Sequence, residues 1–162
     1  VTQSRGLARV LADALRDAPE LVEAAQGAGI KISGCPNGCG QHHVAAIGFQ
    51  GSVRKVGGRA VPQYFVLVGG RIGDEKVDFG RLAAKIPARR IAEAVARLVS
   101  LFQHERAPGE RAADFFARVE VGRVRAALAH LERFDDLTSE DYVDIGEDAE
   151  FAPEIMEGEC AS

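Results

Sequence analysis

The sequence predicts an α+β fold: a small mixed or antiparallel sheet covered by helices, followed by an acidic C-terminal tail. Three observations predict it. Apolar residues recur at helical spacing near both ends of the body, and β-branched and aromatic runs broken by glycine fill the middle. The resulting order of helix, strand, loop, strand, strand, helix, helix is that of a sheet with helices packed on it. With 162 residues, 46% of them hydrophobic, the chain can bury a core within one domain, assigned to residues 1–133, with residues 134–162 as the tail.

Leu7, Val10, Leu11, Ala14 and Leu15 share one helical face, which predicts a helix over residues 4–18. Pro19 suits a first helical turn, and Leu21, Val22 and Ala25 extend a second, short helix until Gly27 and Gly29 stop it. Ile30 to Ser33 alternates as a strand. Residues 34–40 hold three Gly and one Pro, so the strand runs into a structured loop. A strand candidate follows within residues 44–53, then a hairpin connection at 55–59 and the strongest strand signal, VPQYFVLV, at 61–68. Turns close that strand at Gly69-Gly70 and Ile72-Gly73-Asp74. Ile91, Val95, Leu98, Val99 and Phe102 mark a helix over 88–106, entered by Pro87 and left at Ala107-Pro108-Gly109. A last helical stretch spans 110–131, with a break expected near Val119 to Gly122.

The formal net charge of −4 conceals a division. From Asp135 onward lie eleven of the 24 acidic residues and none of the 20 basic ones, so residues 1–134 carry a formal +7. A basic body attracts small anions or an acidic protein partner. With few aromatics between the bases, a nucleic-acid surface is not expected. No apolar run approaches the ~18 residues of a membrane helix, and no secretory signal opens the chain, so a cytoplasmic protein without a membrane partner is expected. Val1 in place of Met suggests an excised or processed piece of a longer chain.

Three cysteines, two of them in the glycine-rich loop, argue against a disulfide framework and for metal or redox chemistry in a reducing compartment. Thiolates are the ligands that iron-sulfur clusters prefer, and a loop rich in glycine lets two of them reach one cluster while baring N–H donors. The spacing C-x3-C of Cys35 and Cys39 is followed by His42 and His43, which also permits a zinc site of the form C-x3-C-x2-H in a non-enzymatic zinc- or thiol-containing interaction module. The two histidines otherwise read as surface or cofactor-rim residues. Arg54, Lys55 and Arg59 read as a hairpin tip charged for solubility, Arg89 and Arg90 as basic residues placed against a helix dipole, and Cys160 as a free tail thiol.

The stretch KISGCPNGCG at residues 31–40, with IGFQG at 47–51, resembles the second cysteine motif of the sulfite and nitrite reductase hemoprotein family. Residues 64–70 (YFVLVGG), Ile86-Pro87, and Gly109-Glu110-Arg111 with Asp114-Phe115-Phe116 resemble later blocks of the same family. The resemblance implies a 4Fe-4S cluster with Cys35 and Cys39 as its third and fourth ligands, the Cys39 sulfur bridging to siroheme iron. It implies that an upstream C-x5-C pair supplies the first two ligands. It places Asn37, Gly38 and Gly40 at the siroheme edge and implies multi-electron reduction of sulfite to sulfide or nitrite to ammonia. The electron donor would be a ferredoxin or a flavoprotein. No catalytic residue is assigned within the chain, because the substrate-gripping Lys and Arg of the family lie mostly upstream.

Overall fold

The computed structural model describes residues 1–16, 29–73 and 77–153. The expected second helix around Leu21 and the thiol of Cys160 lie outside the described residues. Helix α1 (Ser4–Arg16) buries Leu7 and Leu11, one turn apart on the predicted face. Strands β1 (Ile30–Ser33), β2 (Ile47–Val56) and β3 (Arg59–Val68) follow. The chain then forms a two-residue ladder of β4 (Arg71–Ile72) and β5 (Val77–Asp78), and a seven-residue strand, β6 (Arg81–Pro87). Helices α2 (Ile91–Glu105), α3 (Ala112–Arg118) and α4 (Val121–Leu128) complete the body.

The main sheet has the order β1-β2-β3-β6. β1 runs parallel to β2, from Ile30 opposite Ile47 to Ser33 opposite Gln50, and the other pairs are antiparallel, so the sheet is mixed as expected. β2 and β3 form a ten-residue hairpin. Its connection is only Gly57-Gly58, both at positive φ (58° and 83°), as a two-residue turn matched to strand twist requires. The strand therefore runs to Val56 rather than stopping at 53, and it starts at Ile47 because Val44 belongs to a 3-10 turn.

β6 corrects the sequence reading, which left residues 81–87 unassigned. Its composition, RLAAKIP, is poor in β-branched residues, and a bulge opposite Val66/Leu67 breaks the alternation that marks a strand, so Ala83 and Ala84 are both buried. The turn predicted at Ile72-Gly73-Asp74 begins where β4 of the short β4–β5 ladder ends, and Asp74 lies outside the described residues.

On α2, Ile91, Ala94, Val95, Leu98, Val99 and Phe102 are buried at the spacing of one helical face. Phe102 meets Phe115 and Phe116 of α3, with ring centroids 5.4 and 6.4 Å away. α2 also touches α1 and α4, and α4 packs on β6. The break expected near Val119 falls between α3 and α4, where Val119 and Glu120 are extended.

The described part of the acidic segment lies against this body. A Thr138–Asp141 capping box starts a 3-10 turn at Ser139–Tyr142. Asp144, 2% exposed, accepts the backbone N–H groups of Gln3 and Ile145, each at 2.8 Å. Burial holds its carboxyl above the ordinary value even though both N–H groups favour the charged form.

Candidate functional site

Parallel strands cannot be joined by a tight turn. Between the end of β1 at Ser33 and the start of β2 at Ile47 the chain needs a crossover, and residues 34–46, which include both cysteines of the motif, provide it. The loop therefore stands at the carboxyl end of β1. Cys35 is half-buried, and Cys39 and Asn37 are exposed.

Two glycines of the loop have distinct reasons to be glycine. Gly38 adopts φ +75°, where a side chain is strained, and its carbonyl accepts the N–H of Gln41 at 2.7 Å. Gly40 has ordinary φ but no room, since a Cβ there would sit 2.2 Å from the carbonyl oxygen of Ile32. The loop is thus pressed onto its own preceding strand. Gln41 takes the left-handed conformation (φ 55°), and its side-chain oxygen accepts from Lys31 Nζ at 2.7 Å.

Beneath the loop lies a buried polar relay that the sequence reading missed. The N–H of Gly40 donates to Ser33 Oγ at 3.1 Å, and Ser33 Oγ lies 2.8 Å from His42 Nδ1. On the other side of the ring, His42 Nε2 lies 3.1 Å from Gln50 Oε1. Gln50 Oε1 can only accept, so Nε2 carries the ring proton, and in the neutral ring Nδ1 accepts from the hydroxyl of Ser33, whose oxygen accepts the Gly40 N–H. His42 is then the neutral tautomer that carries its proton on Nε2 and donates to Gln50. Every hydrogen in the chain from Gly40 to Gln50 has an acceptor. The protonation behaviour agrees: burial holds the pKa of His42 below the usual histidine value, the neighbouring His43 acts in the same direction, and the bond to Gln50 opposes them.

His42 is therefore not a surface or rim residue. It is 2% exposed, with both ring nitrogens engaged inside the protein. That removes it as a zinc ligand in this arrangement, and among the described residues no three His, Cys, Asp or Glu side chains converge as a metal site. His43 is half-buried, and a Cβ on Gly38 would meet its ring at 3.0 Å. That ring also meets Phe79, with centroids 5.5 Å apart and planes tilted by 35°. Phe79 is 68% exposed, and with Ile72 and Val77 in the adjoining ladder it forms an apolar surface beside the loop.

The crossover is tied back to the sheet as well: Gly69 N–H donates to Ala46 O at 2.9 Å and Gly80 N–H to His43 O at 2.7 Å. The double glycine after β3 thus packs beneath the cysteine crossover, and a Cβ on Gly70 would lie 2.7 Å from Ala45 O. No helix among the described residues is long and apolar enough to cross a membrane.

Comparison with known proteins gives a consistent result. The family described as "Nitrite and sulphite reductase 4Fe-4S domain" matches residues 1–135. A sulfite reductase (ferredoxin) of Mycobacterium tuberculosis strain H37Rv is 33% identical over 99 residues, 59% of this chain and 18% of that protein. An assimilatory ferredoxin-dependent nitrite reductase of Haloferax mediterranei is 34% identical over 96 residues, 59% of this chain and 16% of its own length. A sulfite reductase (NADPH) hemoprotein beta-component of Vibrio vulnificus strain YJ016 is 35% identical over 92 residues, 57% of this chain and 14% of that protein. The solved structure of the Mycobacterium tuberculosis NirA protein aligns with TM-score 0.60 and 30% identity over 75% of this chain and 22% of that one. The chain thus spans less than a fifth of the length of these curated relatives.

Proposed function

Because the chain belongs to the nitrite and sulphite reductase 4Fe-4S domain family, we propose that it is the part of a sulfite or nitrite reductase that supplies two thiolates, Cys35 and Cys39, to a 4Fe-4S cluster bridged to siroheme. The observation that carries this reading is the crossover loop, which holds both cysteines on a backbone fixed by the buried Gly40–Ser33–His42–Gln50 relay. The donor set fits: a cluster of this kind takes four thiolates, and two soft ligands on one loop are half of them. The other half would come from the C-x5-C pair in the remaining polypeptide. Exposed Phe79, Ile72 and Val77 beside the loop give that polypeptide an apolar surface to pack on.

When bound, the cofactors would relay electrons one at a time from the donor protein to the anion, and repeated transfers with protons from solvent would take sulfite to sulfide or nitrite to ammonia. The task of this chain is to hold and orient. Cys35 and Cys39 would present sulfur to the cluster. Gly38 gives the loop its left-handed turn and the Gly40 N–H anchors it to Ser33, while exposed Asn37 would offer an amide to the siroheme edge. A basic body raises the local concentration of the anionic substrate. Ferredoxin appears in the names of the Mycobacterium and Haloferax relatives, which supports a ferredoxin as donor, and NADPH in that of the Vibrio relative, which leaves a flavoprotein as the second reading.

The test is iron content and the optical spectrum of the full-length reductase containing this chain. Siroheme bands coupled to a cluster are expected, with iron lost in Cys35→Ser and Cys39→Ser. An intact protein without iron or colour would refute the reading.

A further inference from the structure

The family match stops at residue 135, where the acidic segment begins. Four arginines hold the described part of that segment. Arg59 pairs with Glu150 at 2.7 Å and lies over the ring of Tyr142, 3.6 Å from its centroid. Arg54 lies 4.2 Å over the ring of Phe134. Arg90 pairs with Asp136 at 2.9 Å and Arg89 donates to the carbonyl of Glu140 at 2.7 Å. Arg54 and Arg59 are thus not simply a hairpin tip charged for solubility, and Arg89 and Arg90 sit in a 3-10 turn that precedes α2. All four reach toward acidic side chains, aromatic rings or carbonyls of one short stretch.

Strand register relates this surface to the cysteine loop. Ser33, which supports the loop, pairs with Gln50, and Gln50, Ser52 and Arg54 alternate onto one face of β2. Arg59 stands opposite Val56 and therefore on that same face. Arg54 is four residues from Gln50, about 13 Å along the strand. The sheet face that anchors the proposed cluster ligands therefore ends in cations. The Arg59–Glu150 pair, with both side chains about half exposed, is of a kind easily exchanged, because an exposed ion pair contributes only ~0–1 kcal/mol.

We propose that Arg54, Arg59, Arg89 and Arg90 form a docking surface for an acidic protein partner, the electron donor, and that Asp136, Glu150 and the rings of Phe134 and Tyr142 occupy it as an internal competitor. The chemistry of the occupant defines that of the partner: carboxylates beside a half-buried aromatic ring. This inference rests on the proposed function for the identity of the partner, though not for the surface itself.

The test measures binding of a net-acidic 2Fe-2S ferredoxin, and separately of a ten-residue oligoglutamate peptide, to the 162-residue chain by calorimetry at low salt. Glu150→Gln combined with Asp136→Asn loosens the cover and is expected to tighten both probes about fivefold. Arg54→Gln with Arg59→Gln is expected to weaken both by a similar factor, and added salt to erase the differences. Circular dichroism melts verify that each variant folds. Should the arginine variant fail to fold, the carboxamide variant alone decides. Oligoglutamate following this order while ferredoxin binds no form would keep the surface and overturn the donor assignment. Unchanged affinity of both probes for the carboxamide variant would refute the surface.

Discussion

Ser33→Ala is the sharpest probe of the relay beneath the cysteine loop. Ser33 is 5% exposed and His42 2% exposed, so water cannot replace the hydroxyl without rearrangement. The substitution removes no appreciable apolar area, and its cost comes from two groups left without partners: the N–H of Gly40 and Nδ1 of His42. A buried polar group stripped of its partner costs about 1–3 kcal/mol, and with the part-buried Gly40 N–H at about 1 the pair predicts a loss of about 2–4 kcal/mol. Against a total stability of about 5–15 kcal/mol that is a large fraction, and it should lower the melting temperature by roughly 4–16 °C. Urea unfolding of the chain, monitored by circular dichroism, measures it. A cycle with His42→Phe separates the relay from generic damage: once the ring nitrogen is gone, Ser33→Ala no longer orphans it, and the two costs should fall short of additivity by about 1 kcal/mol. A cost for Ser33→Ala below about 0.5 kcal/mol, or strict additivity in the cycle, would refute the network.

Three further outcomes follow from the same geometry. Because His42 is held below the ordinary histidine value of about 6.5, the unfolded chain binds its proton more readily than the folded one. Its contribution to stability is complete above that pH and declines as the solution is acidified, and urea midpoints between pH 5 and 8 should show a slope that His42→Phe flattens. Tyr64 is fully buried, its hydroxyl has no partner of good geometry among the described residues, and burial pushes its pKa up to about 12. The unfolded phenol ionises near pH 10, so stability should fall between that pH and about 12; Tyr64→Phe should abolish the fall and cost nothing at neutral pH. Gly40→Ala drives a methyl into the carbonyl of Ile32 and should destabilise by about 2–3 kcal/mol in the same urea assay, a loss that peptide propensity alone cannot produce.

The elements legible in the sequence are those whose signal is local and periodic. α1 and α2 declare themselves by apolar spacing, and β3 by a run of Val, Tyr and Phe. β6 escaped because a bulge removes the period-two pattern and because alanine is neutral about strand formation. The cysteine loop was legible as a motif, whereas its support was not. Nothing local distinguishes His42 from its neighbour His43, yet one is interior and the other stacks on Phe79, a difference set by whether Ser33 and Gln50 from two paired strands flank the ring. The only hint was that a serine, a histidine and a glutamine all fall within the short span from β1 to β2. The partner of Arg59 lies 91 residues downstream, beyond any pattern in the sequence.

Placing ligands in a crossover has a mechanical consequence. A hairpin loop is held at its two ends by strands that pair with each other, but the segment between parallel strands must travel back along the sheet, and here it does so in residues 34–46 without a long helix. Such a segment would be loose if its polar backbone were left to water. Instead, Ala46 and His43 give their carbonyls to Gly69 and Gly80, Gly34 gives its carbonyl to the N–H and hydroxyl of Thr2, and Gly40 is bonded to Ser33. Cys39 and Asn37 stand at the exposed outer edge of this pinned loop. On the proposed function this division has a physical reason. A cluster ligated from two stretches of polypeptide forms more readily if one half of the ligand set is already ordered, since ordering each residue costs about 1–2 kcal/mol when it is left to the moment of binding. The relay, the close approach at Gly40 and the ties to β3 and β6 meet that cost during folding of this chain, before any iron arrives.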